Sequence, residues 1–404
     1  MRVALVAGPD AGHLLPVAAL AEALAARGHS PVVWTGDRWL ERLRGAGIAA
    51  EQLPLVAEPP GESFGERLWR RSVAMTPPLV AGLRAEPPAL IVADTLTMCG
   101  SFAAGVLGVP LVELVPHPLQ DPSAWLPPVG STLPPARSRV GRHRDALLHR
   151  LTDVGVRLGH RQREGALASL GISRLPLLLR LVATLPALEL PRRDWPSDAV
   201  LCGPLEWEAG TAELAPPPGD DPLVLVSSTT AGGPDLLSLV LEAAAGQHLR
   251  VAATTLDPRV GALPPWAVAG PGSQAPLLAA ASAVVCGAGN GMLAKALSRG
   301  LPVVTIPGAG DQRENAARVH RLCAGIRLPP AEVTVPVLRR SLRRVVHDGR
   351  YAAGAADAAR GAAGLGPAYA ARLVERAARG WQSIPRAPLG AVRQPLDGPE
   401  QADR

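Results

Sequence analysis

Short apolar runs alternate with amphipathic stretches along most of this 404-residue chain, and this alternation constrains the fold more than any other feature. Runs such as RVALVAG (2–8) and PALIVAD (88–94) have the length and composition of strands that are buried on both faces. The segments between such runs, for example 14–29, place apolar residues at helical spacing. A chain that repeats strand and helix in this way forms a parallel sheet covered by helices, so we expect an α/β fold.

The alternation is interrupted by EWEAGTAELAPPPGDDP (206–222), which is rich in Pro, Gly and acidic residues and has no periodicity. This composition is typical of a linker. We therefore predict two doubly wound, Rossmann-like domains, residues 1–205 and 223–383, followed by a disordered tail at 384–404. Further strands are predicted at 30–36, 109–115, 183–190, 199–205, 223–230, 250–257, 282–287 and 302–308.

Composition argues against several classes of protein. The net charge of +6 comes almost entirely from arginines scattered through helical segments, which is weak evidence for nucleic-acid binding. The chain has no uninterrupted apolar run of about 18 residues, so a membrane-spanning helix is not expected. The apolar N-terminus turns polar too early for a secretion signal. The cysteines form no CxxC pair or metal-ligand cluster, which fits free thiols in a cytoplasmic protein.

A glycine cluster, GAGNG (287–291), lies between a predicted strand and a predicted helix. Glycines allow close approach of the backbone, and a helix N-terminus presents unpaired N–H groups and a partial positive charge. The cluster is not a Walker loop, because no GK[ST] follows it. These residues therefore predict either a phosphate site at the carboxyl edge of a sheet or only a tight turn.

Two parts of the chain together resemble the macrolide and natural-product UDP-glycosyltransferase-like family, actinobacterial type. The first part is the N-terminal stretch GHLLPVAALAEALAARGH (12–29). The second part, near the C-terminus, comprises GLP (300–302) and DQRENAARV (311–319), which stand at the family's spacing. The resemblance covers most of the chain and implies the GT-B fold, with two Rossmann-like domains facing each other across a cleft. It also implies a metal-independent hexosyltransferase with no cofactor, in which a nucleotide-diphosphate sugar such as a UDP- or TDP-sugar is the co-substrate.

The donor-binding signature is degenerate at three positions. The family's histidine, threonine and glutamate are Gly287, Met292 and Lys295 here. The resemblance implies that the following residues bind the donor: Thr230, Gln274, Gly289, Asn290, Gly291, Lys295, Asp311 and Gln312. Lys295, the chain's single lysine, is interpreted either as a replacement for lost charge at the pyrophosphate or as an ordinary surface residue. Asp311 is expected to bind sugar hydroxyls with Gln312, to cap the following helix, or both.

His13 and Asp94 are the predicted catalytic pair. In the family a histidine after this glycine deprotonates the acceptor hydroxyl, and an imidazole near neutrality is suited to take that proton. Asp94 ends a predicted strand at the same sheet edge and matches the family's partner position. A carboxylate on the second ring nitrogen would orient the imidazole and stabilise its charged form.

The acceptor is expected on loops of the N-terminal domain, and an apolar natural product or lipid is preferred. Trp69 and Trp125 are the candidate residues for its pocket. The long segment 117–182 is first proline-rich and then strongly basic, and it carries leucines and valines at helical spacing from 140 to 170. It is interpreted either as a peripheral contact with an anionic membrane or as an ordinary solvated helix.

Two other functions remain open at this stage. A non-catalytic relative that binds a ligand or assists a partner enzyme is compatible with the substitutions at Gly287, Met292 and Lys295. A sugar-nucleotide epimerase on the same fold would need carboxylates in the cleft, and the histidine of the GH-x-x-P stretch favours transfer instead.

Overall fold

The computed structural model describes residues 1–56, 64–208, 214–227, 235–255 and 261–380. Thr230 and the predicted tail at 384–404 lie outside these residues.

The first half of the chain builds a seven-stranded parallel sheet with the strand order β3-β2-β1-β4-β5-β6-β7. Its elements are β1 (Arg2–Val6), α1 (Ala11–Ala25), β2 (Ser30–Thr35), α2 (Leu40–Gly45), β3 (Ala50–Gln52), α3 (Phe64–Ala85), β4 (Leu90–Asp94), α4 (Met98–Leu107), β5 (Leu111–Val115), α5 (Arg139–Ser169), β6 (Leu177–Val182) and β7 (Ala199–Leu201).

The second half builds a six-stranded parallel sheet with the order β10-β9-β8-β11-β12-β13. Its elements are β8 (Leu223–Ser227), α6 (Leu236–Ala244), β9 (Arg250–Thr254), β10 (Ala267–Gly270), α7 (Ala275–Ala280), β11 (Ala281–Cys286), α8 (Asn290–Ser298), β12 (Val303–Thr305), α9 (Gln312–Arg321), β13 (Gly325–Arg327), α10 (Val335–His347), α11 (Gly349–Arg360) and α12 (Pro367–Arg379).

Both sheets are covered by helices on both faces, so the apolar runs are buried as predicted. Every residue of β4 is buried, and β1 is buried apart from its first residue. Each strand needs a crossover to its parallel neighbour, and the helices supply it. The carboxyl ends of β1, β4 and β5 therefore meet at one edge, where the following loops carry polar residues. The predicted α/β architecture of two doubly wound sheets is confirmed.

One predicted strand is wrong. Residues 183–190 were expected to form a strand, but β6 ends at Val182 and a short 3₁₀ helix occupies Pro186–Leu188. Proline fixes φ and lacks an N–H donor, so a 3₁₀ turn is favoured over a central strand.

The last helix does not pack where the sequence placed it. The predicted C-terminal domain, 223–383, included α12, yet Leu373 and Val374 of this helix are buried in the core beneath the first sheet. The carboxylate of Glu375 accepts hydrogen bonds from Arg27 at 2.7 Å and from His29 at 2.8 Å. An amphipathic pattern alone does not tell which of two sheets a helix covers, and here the chain crosses back to the first one.

The start of the predicted linker is packed against both halves. Trp207 is buried in the core of the first half. Its neighbours Glu206 and Glu208 form ion pairs with Arg299 and Lys295 at the end of α8. Because alternate side chains of an extended segment point to opposite sides, three residues suffice to join the two halves. The remaining boundaries of the linker stay a prediction.

In the described part of the chain, no helix has both the length and the apolar character needed to cross a bilayer.

Candidate active site

The imidazole of His13 and the carboxylate of Asp94 form a hydrogen bond across the edge of the first sheet. His13 lies in the first turn of α1, and Asp94 is the last residue of β4. Nδ1 of His13 is 2.7 Å from Oδ1 of Asp94. Oδ2 of Asp94 accepts from the Thr97 hydroxyl at 3.0 Å and from the Leu96 N–H at 3.1 Å. The carboxylate is thus fixed, and it leaves Nε2 of His13 as the nitrogen that can take a proton.

Burial by itself lowers the pKa of His13, but nearby negative charge outweighs it. The charge of Asp94 and its hydrogen bond raise the pKa, with further contributions from Asp10 and Asp311, so that the net pKa lies above the ordinary value of 6.5. Asp311 belongs to the second half of the chain, directly before α9. Carboxylates of both halves of the chain therefore contribute to the raised pKa of His13.

A cavity of about 200 Å³ adjoins His13 and Asp94. Its wall includes the apolar side chains of Leu68, Met75 and Leu96 and also two guanidinium groups, Arg67 and Arg71. The cavity lies between α3 and the carboxyl edge of the sheet. A small organic molecule bound there would lie against the imidazole.

The two tryptophans proposed for the acceptor are not in this wall. Trp69 is half-buried and stacks on Phe102 in the core, with ring centroids 6.3 Å apart. Trp125 is 46% exposed, and the guanidinium of Arg193 lies 4.7 Å from its ring centroid. Leu68, Ser72 and Met75 face the cavity at helical spacing along α3, and Trp69 packs against the core instead.

The start of α8 has open space on one side and a contact with the first half on the other. A Cβ atom added at Gly289 or Gly291 would meet no atom within 4 Å. Asn290 is buried and bridges the two halves: its Nδ2 donates to the carbonyls of Pro116 at 2.9 Å and Ala183 at 3.1 Å. Its Oδ1 accepts from the hydroxyl of Thr184 at 2.8 Å. Asn290 therefore holds the helix start against the N-terminal sheet, while the glycines leave room for a ligand.

The side chain of Lys295 is buried and does not lie on the solvent-exposed surface of α8. It is 8% exposed. Its ammonium donates to Oε1 of Glu208 at 2.7 Å and to Oε1 of Gln274 at 2.9 Å. Gln274 in turn donates from Nε2 to the hydroxyl of Thr254 at 2.8 Å. Lys295 thus orients Gln274, and the surface interpretation of this lysine is wrong.

Asp311 and Gln312 lie at the junction of β12 and α9. The Asp311 side chain makes no capping hydrogen bond to the α9 backbone; its Oδ2 accepts from Nδ2 of Asn315 at 2.9 Å. Gln312 is buried, and its Oε1 accepts from the Gly308 N–H at 2.8 Å. The capping role considered for Asp311 is therefore not found, and Gln312 braces the loop before α9.

Sequence reasoning missed three residues of this region. Thr97 accepts from the Gly8 N–H at 2.7 Å while donating to Asp94, so it joins the two loops beside the predicted catalytic pair. His117 follows β5 at the same edge; burial lowers its pKa, and its Nδ1 lies 2.9 Å from the carbonyl of Pro118. Glu208 is the partner of Lys295. Only His117 had a signal in the sequence, its place after a predicted strand.

The part of the chain that the structure describes contains no group of three or more His, Cys, Asp or Glu residues able to hold a metal ion. Independence of metal ions stays a prediction.

Comparison with known proteins agrees with this geometry. Residues 258–370 match the family model described as "Erythromycin biosynthesis protein CIII-like, C-terminal domain". The chain is 28% identical to 4'-demethylrebeccamycin synthase of Lentzea aerocolonigenes over 87% of this chain and 93% of that protein. The crystal structure of the glycotransferase of kitacinnamycin has a TM-score of 0.72 at 22% identity and covers 93% of this chain and 98% of its own. The crystal structure of Streptomyces sp. SF2575 glycosyltransferase SsfS6, complexed with thymidine diphosphate, has a TM-score of 0.68 at 21% identity. The match covers 93% of this chain and 99% of the SsfS6 chain.

Two parallel sheets with a polar cleft edge, together with these likenesses, define a glycosyltransferase of the GT-B fold. Residues 258–370 are similar to the C-terminal domain of the erythromycin biosynthesis protein CIII-like family.

Proposed function

We propose that this enzyme transfers a sugar from a nucleoside-diphosphate donor to a hydroxyl of an apolar acceptor, with inversion at the anomeric carbon. The observation that carries the proposal is the hydrogen bond between His13 and Asp94 beside a cavity of about 200 Å³. The relatives named above supply the class of reaction, and the arrangement of these side chains supports the chemistry.

The proposed step is one displacement. The acceptor hydroxyl loses its proton to Nε2 of His13 as its oxygen bonds to the anomeric carbon. The bond from that carbon to the diphosphate oxygen breaks on the opposite face, and the nucleoside diphosphate leaves with the electron pair. Asp94 holds the ring and stabilises the imidazolium that forms, because it accepts from Nδ1.

The donor diphosphate is placed at the start of α8. Space is open beside Gly289 and Gly291, and the partial positive charge of a helix N-terminus stabilises the charge that develops on the leaving phosphate. Asp311 remains the candidate for sugar hydroxyls, since it lies directly before α9 and its charge contributes to the raised pKa of His13. Protein groups hold the side chains of Gln274, Asn290, Lys295 and Gln312, so in this proposal these residues act by shaping the donor site.

The acceptor is placed in the cavity beside His13, whose wall is partly aliphatic. A small natural product fits this site, as does the apolar part of a lipid. A peripheral contact with a membrane and a cytoplasmic location stay predictions, and neither bears on the chemistry of the cleft.

Two measurements test the proposal. A thermal-shift panel of UDP, TDP, GDP and ADP should raise the melting temperature with one of them, because a ligand that binds only the folded state stabilises it. TDP is the first candidate, since SsfS6 was crystallised with thymidine diphosphate. Transfer from the matching nucleotide sugar should fall about 10²–10⁴-fold in His13→Ala, the range for loss of a general base.

The second candidate function is a non-catalytic relative. One observation favours it: the side-chain amide of Asn290, a predicted donor-binding residue, donates to the Pro116 and Ala183 carbonyls of the first half instead. The absence of a shift with all four nucleotides, or equal residual turnover in the wild type and His13→Ala, would replace the proposal with this one.

A further inference from the structure

Helix α5 is the most exposed long element of the described chain. It runs over Arg139–Ser169, 31 residues, or about 46 Å at the rise of an α-helix. Only Asp145 and Ala166 of this helix are buried. One side of the helix touches the body of the protein, at Asp145, His149 and Ala166, while the opposite side faces solvent.

Leucines and valines form a continuous stripe along this solvent-facing side. Leu147, Leu151, Val154 and Leu158 follow one another at steps of four, three and four residues, which places them on one side of the helix. Their exposed fractions lie between 55% and 69%, and Val140, in line with them, is 79% exposed. Isolated exposed apolar residues need no explanation, but a row of this length marks a contact surface.

Arginines line one edge of the stripe. Arg150 and Arg161 each lie three residues after a stripe leucine and are exposed. Arg139, His143 and Arg157 lie on the same edge by helical spacing. The helix as a whole carries seven arginines against three carboxylates, an excess of four positive charges.

The charge decides between possible occupants of this surface. In a second copy of the chain packed antiparallel, the same edge of each helix would meet, and arginine would face arginine. An anionic lipid surface has the complementary charge along its whole extent. Arginine side chains can reach phosphate headgroups while the aliphatic side chains beside them enter the acyl boundary. Trp125, in the loop whose Leu126 carbonyl contacts His149 of α5, is also exposed, and tryptophan is enriched at such boundaries.

We propose that the stripe of α5, Val140 to Leu158 with its arginine edge, is the docking surface of this enzyme for an anionic lipid bilayer. The surface lies outside the cleft and needs no group of the proposed catalytic site. Docking would hold the enzyme where an apolar acceptor is concentrated.

Sedimentation with vesicles tests the proposal on the full chain. The protein should bind vesicles of phosphatidylcholine with phosphatidylglycerol, and hardly bind pure phosphatidylcholine. Arg150→Gln/Arg161→Gln should weaken binding roughly 25-fold, because each arginine near an anionic surface contributes about a factor of five. Leu151→Gln/Val154→Gln should weaken it at least about tenfold through lost apolar burial. Added salt should act on the wild type more than on the arginine variant.

A matched control is available on α10. Arg340 and Arg343 are exposed, and Arg340→Gln/Arg343→Gln removes the same charge from another helix. This variant should bind the anionic vesicles nearly as the wild type does. Transfer to a soluble acceptor should stay unchanged in all three variants, so a failure of the catalytic proposal is distinguished from a failure of this one.

Three results would overturn the proposal. The α10 control could lose as much binding as the α5 arginine variant, which would assign the effect to net charge. The wild type could ignore anionic vesicles yet self-associate in a way that Leu151→Gln/Val154→Gln abolishes, which would assign the stripe to a second copy. A monomer that binds no vesicle would leave an acidic protein partner as the occupant.

Discussion

Lys295 and Glu208 form an ion pair, with Nζ 2.7 Å from Oε1, that joins α8 to the segment connecting the two halves. The other oxygen of Glu208 accepts from the backbone N–H of Gln274 at 3.0 Å. Since Lys295 also binds the Gln274 side chain, the three residues form a closed group. This group and the ion pair between Arg299 and Glu206 together hold the helix against the connecting segment.

The first prediction concerns this pair. Lys295→Ala should weaken binding of the nucleoside diphosphate, and Glu208→Ala should do so to a similar degree, because each substitution releases Gln274. The pair is partly exposed, so its coupling free energy in a double-mutant cycle should be about 1 kcal/mol. Calorimetric titration of the nucleotide measures affinity, and urea unfolding measures the coupling. Unchanged or tighter binding in Glu208→Ala would instead mean that the ammonium contacts the pyrophosphate directly.

The second prediction is a pH dependence set by Asp94. Only neutral His13 can take a proton, so kcat/KM should rise with pH through the raised pKa of His13, above 6.5. In Asp94→Asn the charge is lost and burial dominates, so the midpoint should move to lower pH, below that of the wild type. Turnover at the plateau should also fall, by about 10²–10⁴-fold. A pH profile of kcat/KM for both proteins measures this; an unmoved midpoint would contradict the assigned base.

The same shift has a consequence for stability. Because the pKa of His13 is higher in the folded state, the folded protein holds this proton more tightly, and the stability gained is complete below the unfolded pKa. It is lost as the pH rises through the folded pKa.

The third prediction concerns Asn290. Asn290→Ala removes two donors and one acceptor from a buried contact, leaving the Pro116 and Ala183 carbonyls and the Thr184 hydroxyl without this partner. The free energy of unfolding should fall by about 2–4 kcal/mol. Thr184→Val is the matched control and should cost less, since it removes one of the three bonds. If denaturant unfolding ranks the two variants equally, the Asn290 contacts do not hold the halves together.

The fourth prediction concerns Glu189, a buried carboxyl group between the two halves. Burial raises its pKa from 4.5 to about 7, although Arg318, the Leu119 N–H and Arg192 act in the opposite direction. The folded state therefore holds the proton more tightly than the unfolded chain, and stability is lost as the pH rises from 4.5 through about 7. Glu189→Gln keeps an acceptor for the Leu119 N–H, which Oε1 of Glu189 binds at 2.6 Å.

That variant should be more stable than the wild type above pH 7, by on the order of 3 kcal/mol, and should show little dependence between pH 5 and 8. Urea midpoints across this range provide the measurement. Equal pH profiles for the two proteins would mean that Glu189 stays ionised beside the positive charge of Arg318.

Much of the fold could be predicted because it depends on local pattern. Apolar runs long enough for a buried strand identified β1, β4, β5 and β11 with errors of a few residues. Because parallel strands end at one edge, the same pattern also placed His13 and Asp94 near each other before any distance was known. The glycines at 287–291 likewise predicted a turn into a helix, which begins at Asn290.

Other features depend on contacts between distant residues and could not be read from local pattern. The packing of α12 on the first core, the partner of Lys295 and the clamp made by Asn290 join residues more than 80 positions apart in the chain. The amphipathic pattern of α12 and the charge of Lys295 each indicate that a packing or ionic partner is needed, but neither identifies that partner. The sequence by itself determined most of the strands, their parallel arrangement and the edge where the predicted catalytic pair meets, since strand length and burial are properties of short segments. Only the tertiary structure decided which sheet the last helix covers and which polar groups pair across the two halves, because burial leaves each such group only the partners that the packed chain brings within hydrogen-bond distance.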